Sequence, residues 1–294
     1  MTMVHTLRQS IQITCYSLAL LTLSLLPART LQAAEVITTL PPLSSLVHWL
    51  DPRASVICLL PASADPHHFQ LTPRQVESMQ KATLLIRSSR DDGQWASLHT
   101  FGKTWDIWPS HQYISSKSHV DKDHHHETNN HAWLNPHAVA QILPQLAEHL
   151  IQVYPKHRVS IEKNLQDAQI TLTQTWQQWQ RATASLKLQN NGSIMQHPAW
   201  LDLFQALGIP VWTVLESDKH GQEHGPHVLE DALKVIQNHP LSLLIADKRH
   251  SQRTLSWLQR HHPESRMITL DALGSSENTW PILMQDNLEL LQQP

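Results

Sequence analysis

Cysteine is nearly absent from this chain. Its 294 residues hold two, Cys15 and Cys58. That excludes thiolate zinc fingers, iron–sulfur clusters and a disulfide framework. Charge is also scarce: Asp, Glu, Lys and Arg make up 16% of the sequence and sum to a net −3. Such a balance offers no electrostatic grip on nucleic acid. Long apolar runs are missing too. Ile11 to Leu26 is mostly apolar but short of the roughly 20 residues a membrane span needs, and no second such run follows. What remains is a chain with 40% hydrophobic residues, which supports a folded core rather than a disordered one. One residue type is in excess: 22 histidines equal the 22 lysines and arginines together. Neutral imidazole is a common metal ligand and titrates near neutrality, so the excess points to metal or to pH sensing.

Residues 1–34 read as a signal peptide, with a permanent membrane anchor as the alternative. Arg8 supplies the positive start, the apolar run follows, and Ala28, Thr30, Ala33 and Ala34 offer small residues for cleavage. Export to the periplasm is expected, with a mature N-terminus between Ala28 and Val36. Cys58 is then the mature chain's only thiol. Within Ser55-Val56-Ile57-Cys58-Leu59-Leu60 it reads as a buried small hydrophobe.

From Glu35 onward, short β-rich runs alternate with amphipathic helical ones, the pattern of βα units and parallel sheets. Strands are expected at Val36–Leu40, Ala54–Leu60 and Thr83–Arg87, then near Ser193–Gln196, Ile209–Leu215, Leu241–Ala246 and Arg266–Leu270. Thr72 and Pro73 open a helix through Lys81. Pro136 opens another to about Val153, and Pro155 a third to about Leu188. That last run has no internal Gly or Pro, spans roughly 45–50 Å at 1.5 Å per residue, and is stopped by Asn190-Asn191-Gly192. A final helix is expected over Glu277–Leu291. The polar stretch 119–130, with His119 and His124-His125-His126, has nothing to bury and reads as a loop. The fold predicted is α/β: two lobes with parallel β-sheets flanked by helices, joined by one long helix. The lobes cover 35–154 and 190–294, and the joining helix 155–189.

On this map His67 lies in the loop just beyond the second strand. His197 follows the strand ending Ile194-Met195-Gln196, and Asp271 follows Met267-Ile268-Thr269-Leu270. His131 stands before Trp133 and the Pro136 helix. Ligands of open α/β sheets bind outside the carboxyl ends of strands. A lone loop histidine is more often a surface residue, but three candidate ligands at such positions, from both lobes, make a cleft site plausible.

These segments resemble the metal-specific substrate-binding proteins of bacterial ABC importers, the zinc and manganese family, from about Val36 to the C-terminus. Pro66-His67-His68-Phe69-Gln70-Leu71-Thr72-Pro73 is similar to the family's first ligand loop, where the His after the Pro binds metal; that assigns His67 rather than His68. His131-Ala132-Trp133-Leu134-Asn135-Pro136 is similar to the second motif, and His197-Pro198-Ala199-Trp200 with Phe204 and Gly208-Ile209 to the third. Asp271-Ala272-Leu273-Gly274 is similar to the fourth, with Ala272 where the family usually has Pro. The stretch 121–130 takes the place of the acidic, His-rich loop of zinc importers, so His119, His124, His125 and His126 are expected to add weak metal binding. The Asn-Gly…Glu…Trp pattern is blurred around Arg90–Trp95, and the disulfide of some zinc members has no second cysteine here.

The resemblance implies a monomeric protein that captures an ion between two lobes and delivers it to an ABC membrane permease driven by a cytoplasmic ATPase. Its third motif begins with His in zinc members and Glu in manganese members; this chain has His197. Three imidazoles and one carboxylate suit tetrahedral zinc, whereas manganese prefers oxygen and six-coordination. Zn2+ is the expected cargo. The alternatives are a manganese-binding member of the family and a freestanding periplasmic zinc buffer or chaperone. No enzyme is expected. His220-Gly221-Gln222-Glu223-His224 has the inverted zinc-protease spacing, but Gly221 and Gly225-Pro226 oppose the helix that motif needs. Phe101-Gly102-Lys103-Thr104 ends like a phosphate loop, yet Ser97 stands where the upstream Gly belongs.

Overall fold

Each of the two sheets is built from strands whose sequence leaves little choice of layer. In the computed structural model, residues 36–66, 68–88, 103–108, 131–216, 226–239 and 243–293 are described. Strand β1 (Val36–Thr38), β3 (Leu84–Arg87) and β7 (Leu243–Asp247) are buried along their whole length. Parallel strands covered by helices on both faces read in this way, as continuous apolar runs rather than alternating ones. The first sheet has the order β2 (Val56–Cys58), β1, β3, β4 (Lys103–Asp106), and all its pairings are parallel. The second has the order β6 (Val211–Val214), β5 (Ser193–Met195), β7, β8 (Arg266–Leu270), again all parallel. The two-lobed α/β arrangement expected from the sequence is the one observed, though β4 falls where no strand was expected.

The helices are α1 (Pro41–Leu50), α2 (Pro73–Lys81), α3 (Pro136–Val153) and α4 (Arg158–Ser185), followed by α5 (Leu201–Ala206), α6 (Pro226–Asn238), α7 (Arg253–His261) and α8 (Trp280–Gln292). Their starts follow local chemistry. Thr72 and Gln75 form a reciprocal capping box ahead of Pro73, and the Asn135 side chain accepts from the His137 amide ahead of Pro136. Among the described residues no helix is long and apolar enough to cross a membrane.

The long joining helix is α4, whose 28 residues span about 42 Å. It ends earlier than expected, because Lys187 turns the chain through the left-handed region at φ 56°. One further helical turn, Leu188–Asn191, then leads to Gly192 at φ 68°. A side chain at Gly192 would collide with the Trp212 indole, so glycine is required there for space as well as for conformation.

Strand β7 shows how the layers divide. Leu243 and Ile245 belong to a large core that also takes Val36, Leu85, Trp133, Trp179, Trp200 and Trp280. Leu244 and Ala246, on the opposite face, join Ile194 and Leu215 beneath Ala232 and Ile236 of α6 and Leu255 and Leu258 of α7. The large core runs through both sheets. Trp179 of α4 stacks on Trp200 at 5.6 Å, and Trp49 of α1 stacks on Trp280 of α8 at 5.3 Å. The segments after β5 and β8 are thereby fixed against the helices between the sheets.

Candidate metal site

In both sheets the order of strands reverses between the third strand to form and the first. In the second sheet that point lies between β5 and β7, and crevices beyond the carboxyl ends of such strands are where open α/β folds bind ligands. His197 comes two residues past β5, and His250 three residues past β7. Both side chains are held at this crevice, their rings stacked 4.5 Å apart at 26°.

His131 reaches the same place from the other lobe. It precedes the short 3-10 turn Ala132–Leu134, and Trp133 within that turn is bonded in both directions. Its Nε1 donates to the Ala272 carbonyl at 2.8 Å, while its own carbonyl accepts from Trp280 Nε1 at 2.6 Å. This tie fixes the second motif against the fourth. It sets His131 Nε2 3.2 Å from His197 Nε2, with both residues buried. Two nitrogens bound to one tetrahedral zinc at 2.0–2.1 Å lie about 3.3 Å apart. The observed spacing is close to that value and is equally a hydrogen-bonding distance between a protonated and an unprotonated ring nitrogen.

The pair Glu216–His250 was not singled out from sequence. Glu216 follows β6, and its Oε2 lies 2.5 Å from His250 Nδ1. Its Oε1 accepts from Gln196 Nε2 at 2.8 Å, and Gln196 in turn accepts from the Asp247 amide. Burial alone would lower the His250 pKa, but the Glu216 hydrogen bond and the charges of Asp247, Glu216 and Asp65 outweigh it and raise it. The surroundings therefore favour the protonated ring. Ligand atoms of His197, Glu216 and His250 all lie within 4.8 Å of one another. The signal that could have found His250 was the one used for His197: it follows a β-rich run.

Asp271 is placed differently. Its Oδ1 accepts from Arg249 Nη1 at 2.5 Å and from the amides of Leu273 and Gly274, and its Oδ2 accepts from Lys248 Nζ at 2.9 Å. Burial would raise this carboxyl, but Lys248, the Gly274 amide and Arg249 together hold it down at about 2. Arg249 also donates to the carbonyls of Ala62 and Gly274, so it joins the Asp271 turn to the loop that follows β2. Lys248 and Arg249 likewise escaped the sequence reading, since cations rarely mark a cation site.

His67, His119, His124, His125 and His126 lie outside the described residues, as do His220–His224 and Arg90–Trp95. His68, next to His67, points largely to solvent, 3.9 Å from Asp65 Oδ2.

The sequence profile of the zinc-uptake complex component A, periplasmic (ZnuA), matches residues 36–293. The chain belongs to that family. Its members are metal-binding solute-binding proteins of ABC importers rather than enzymes. A Thermotoga maritima protein, whose name assigns it metal binding only provisionally, is 24% identical over 265 residues, covering 88% of this chain and 91% of its own. Two solved structures share the fold. The Zn(II)-bound AdcAII variant of Streptococcus pneumoniae has a TM-score of 0.73 at 18% identity, covering 89% of this chain and 98% of that one. FpvC of Pseudomonas aeruginosa, bound to Mn2+, has a TM-score of 0.72 at 16% identity over the same shares. In this chain the family's second and third motifs are the two that meet at His131 and His197.

Proposed function

We propose that this protein captures Zn2+ outside the cytoplasm, between its two sheets, and hands it to an ABC permease. The 3.2 Å approach of two buried imidazole nitrogens from different lobes carries this reading. His131 and His197 are two ligands, and His67 joins them from the loop after β2. The resemblance gives the fourth position to Asp271. Imidazole-rich donor sets favour zinc over manganese, which prefers oxygen and a higher coordination number. A fold shared about equally with a zinc-bound and a manganese-bound protein keeps manganese as the second reading. The protein acts as a monomer, with residues 1–34 as its export signal and the His-rich segment 119–130 as a low-affinity zinc reserve.

Competition titration against a chromophoric chelator tests this. One equivalent of Zn2+ is expected to bind tightly, and Mn2+ at least tenfold more weakly. Weaker zinc should disappear when residues 119–129 are deleted, because the imidazoles of His119, His124, His125 and His126 are the expected low-affinity donors. Protein that held neither metal, or that preferred manganese, would overturn the zinc reading.

A further inference from the structure

Two cationic side chains stand on the carboxylate of the fourth motif. Lys248 and Arg249 follow β7 directly, where that strand ends beside β8. Arg249 Nη1 donates to Asp271 Oδ1 at 2.5 Å, and Lys248 Nζ donates to Oδ2 at 2.9 Å. The two differ in freedom. The side chain of Lys248 is 64% exposed and that of Arg249 11%. Arg249 is also held independently of Asp271, because its Nη2 donates to the carbonyls of Ala62 and Gly274, each at 3.2 Å. Its charge is therefore a fixed part of the crevice, whereas Lys248 is free to turn into solvent.

Asp271, for its part, is positioned without Arg249. The buried Asn287 of α8 accepts the Asp271 amide at 2.7 Å through Oδ1 and donates from Nδ2 to the Asp271 carbonyl at 2.9 Å. The amides of Leu273 and Gly274 donate to the carboxylate Oδ1 at 3.1 and 2.9 Å. A guanidinium on a carboxylate already oriented in this way adds charge rather than geometry. It offsets part of the negative charge that a cation would meet, and it repels any divalent ion on the same carboxylate. Zinc and manganese carry the same charge, so that repulsion alone does not choose between them. The donor set does. Zinc draws on imidazole nitrogen and needs few oxygens, whereas manganese depends on oxygen donors and a higher coordination number. Weakening the carboxylate therefore costs manganese more.

We propose that Arg249 is a selectivity-determining residue: fixed on Asp271, it offsets the carboxylate charge and so tilts the site from manganese towards zinc. This rests on the zinc-binding reading above, with Asp271 as a ligand. Lys248 adds to the effect only weakly, since an exposed ammonium is screened by water.

The test measures Zn2+ and Mn2+ affinities of the full protein by competition with a chromophoric chelator. Arg249→Met keeps the apolar stem of the side chain and removes its charge; circular dichroism checks its folding. Manganese affinity should rise roughly tenfold and zinc affinity about threefold, so that the zinc-to-manganese ratio falls about threefold. Arg249→Lys keeps the charge and should leave the ratio within about twofold of wild type. A merely structural role would weaken both metals and leave their ratio alone. That result, an unmoved ratio in Arg249→Met, or an Arg249→Lys that behaves like Arg249→Met, overturns the proposal. Should Arg249→Met fail to fold, Lys248→Met decides, because that side chain lies largely in solvent. Its ratio should fall about twofold, and a wild-type ratio overturns the proposal. Wild type that preferred manganese would defeat the zinc reading, while the shift in ratio would still decide this one. Wild type that bound neither metal would defeat both.

Discussion

The carboxyl ends of β7 and β8 are neighbours in one parallel sheet, yet they present opposite chemistry. After β7, and across to β5 and β6, buried groups gather as imidazole and carboxylate: His197, Glu216 and His250. After β8, Asp271 is enclosed by Arg249, Lys248 and two backbone amides. Position at the end of a strand brings a side chain to the crevice, and the side chains around it set the field it feels. Carboxylates surround His250, whereas cations and amides surround Asp271. Arg249 and His250 are adjacent in sequence, and each serves one side of this division.

The sharpest way to break the comparison is to give the imidazole side an oxygen. His197→Glu removes one imidazole and adds a carboxylate, which favours a harder ion of higher coordination number. The zinc-to-manganese preference should fall at least tenfold, or ~1.4 kcal/mol. Zinc still binds more tightly in absolute terms, since manganese stands lowest in the Irving–Williams order. Competition titrations of both metals at one pH measure the ratio. An unchanged ratio would remove His197 from the metal.

The other side is probed through stability. Asp271 has a folded pKa of about 2, below the usual carboxylate value near 3.8. A depressed carboxyl contributes stability that is present above its unfolded pKa and lost as pH falls through its folded one. In metal-free protein, Asp271→Asn should therefore cost about 1–2 kcal/mol at neutral pH, the shift being discounted for partial solvent screening. The difference from wild type should vanish between about pH 4 and pH 2. Urea unfolding with chelator present, repeated over that range, checks it. A difference that stayed constant down to pH 2 would show that the contribution of Asp271 is not electrostatic.

Much of this division was legible in the sequence, and the rest was not, for identifiable reasons. Runs such as Leu243–Asp247 and Arg266–Leu270 announce buried parallel strands, so the two sheets and the joining helix could be read directly. Strand β4 could not, because Lys103–Asp106 is short, polar and partly exposed, an edge strand defined by its partner β3. The end of α4 was misplaced by three residues because Lys187 adopts a left-handed conformation that no Gly or Asn signals. His131 and His197 could be named because each opens a motif. The state of Asp271 depends on Lys248 and Arg249, which are 23 and 22 residues away in sequence and adjacent only once β7 and β8 pair. Glu216 and His250 meet across 34 residues for the same reason.

The smallest expected effect concerns two adjacent histidines in the loop after β2. His67 and His68 follow Pro66 in immediate succession. Ala62 is bonded to Arg249, and the charge of Asp65 acts on His250, so this part of the loop lies against the second sheet. His68 turns away, with a side chain 69% exposed and its Nε2 3.9 Å from Asp65 Oδ2. An exposed contact of that length contributes little, and losing it leaves the crevice as it was. His68→Ala should change tight zinc affinity by less than about twofold, within the scatter of additive, independent sites. His67→Ala, measured beside it, should weaken zinc by at least tenfold if it is the loop's ligand. The opposite order would mean that the loop presents its second histidine to the ion, and Asp65 would then have to release His68 on binding.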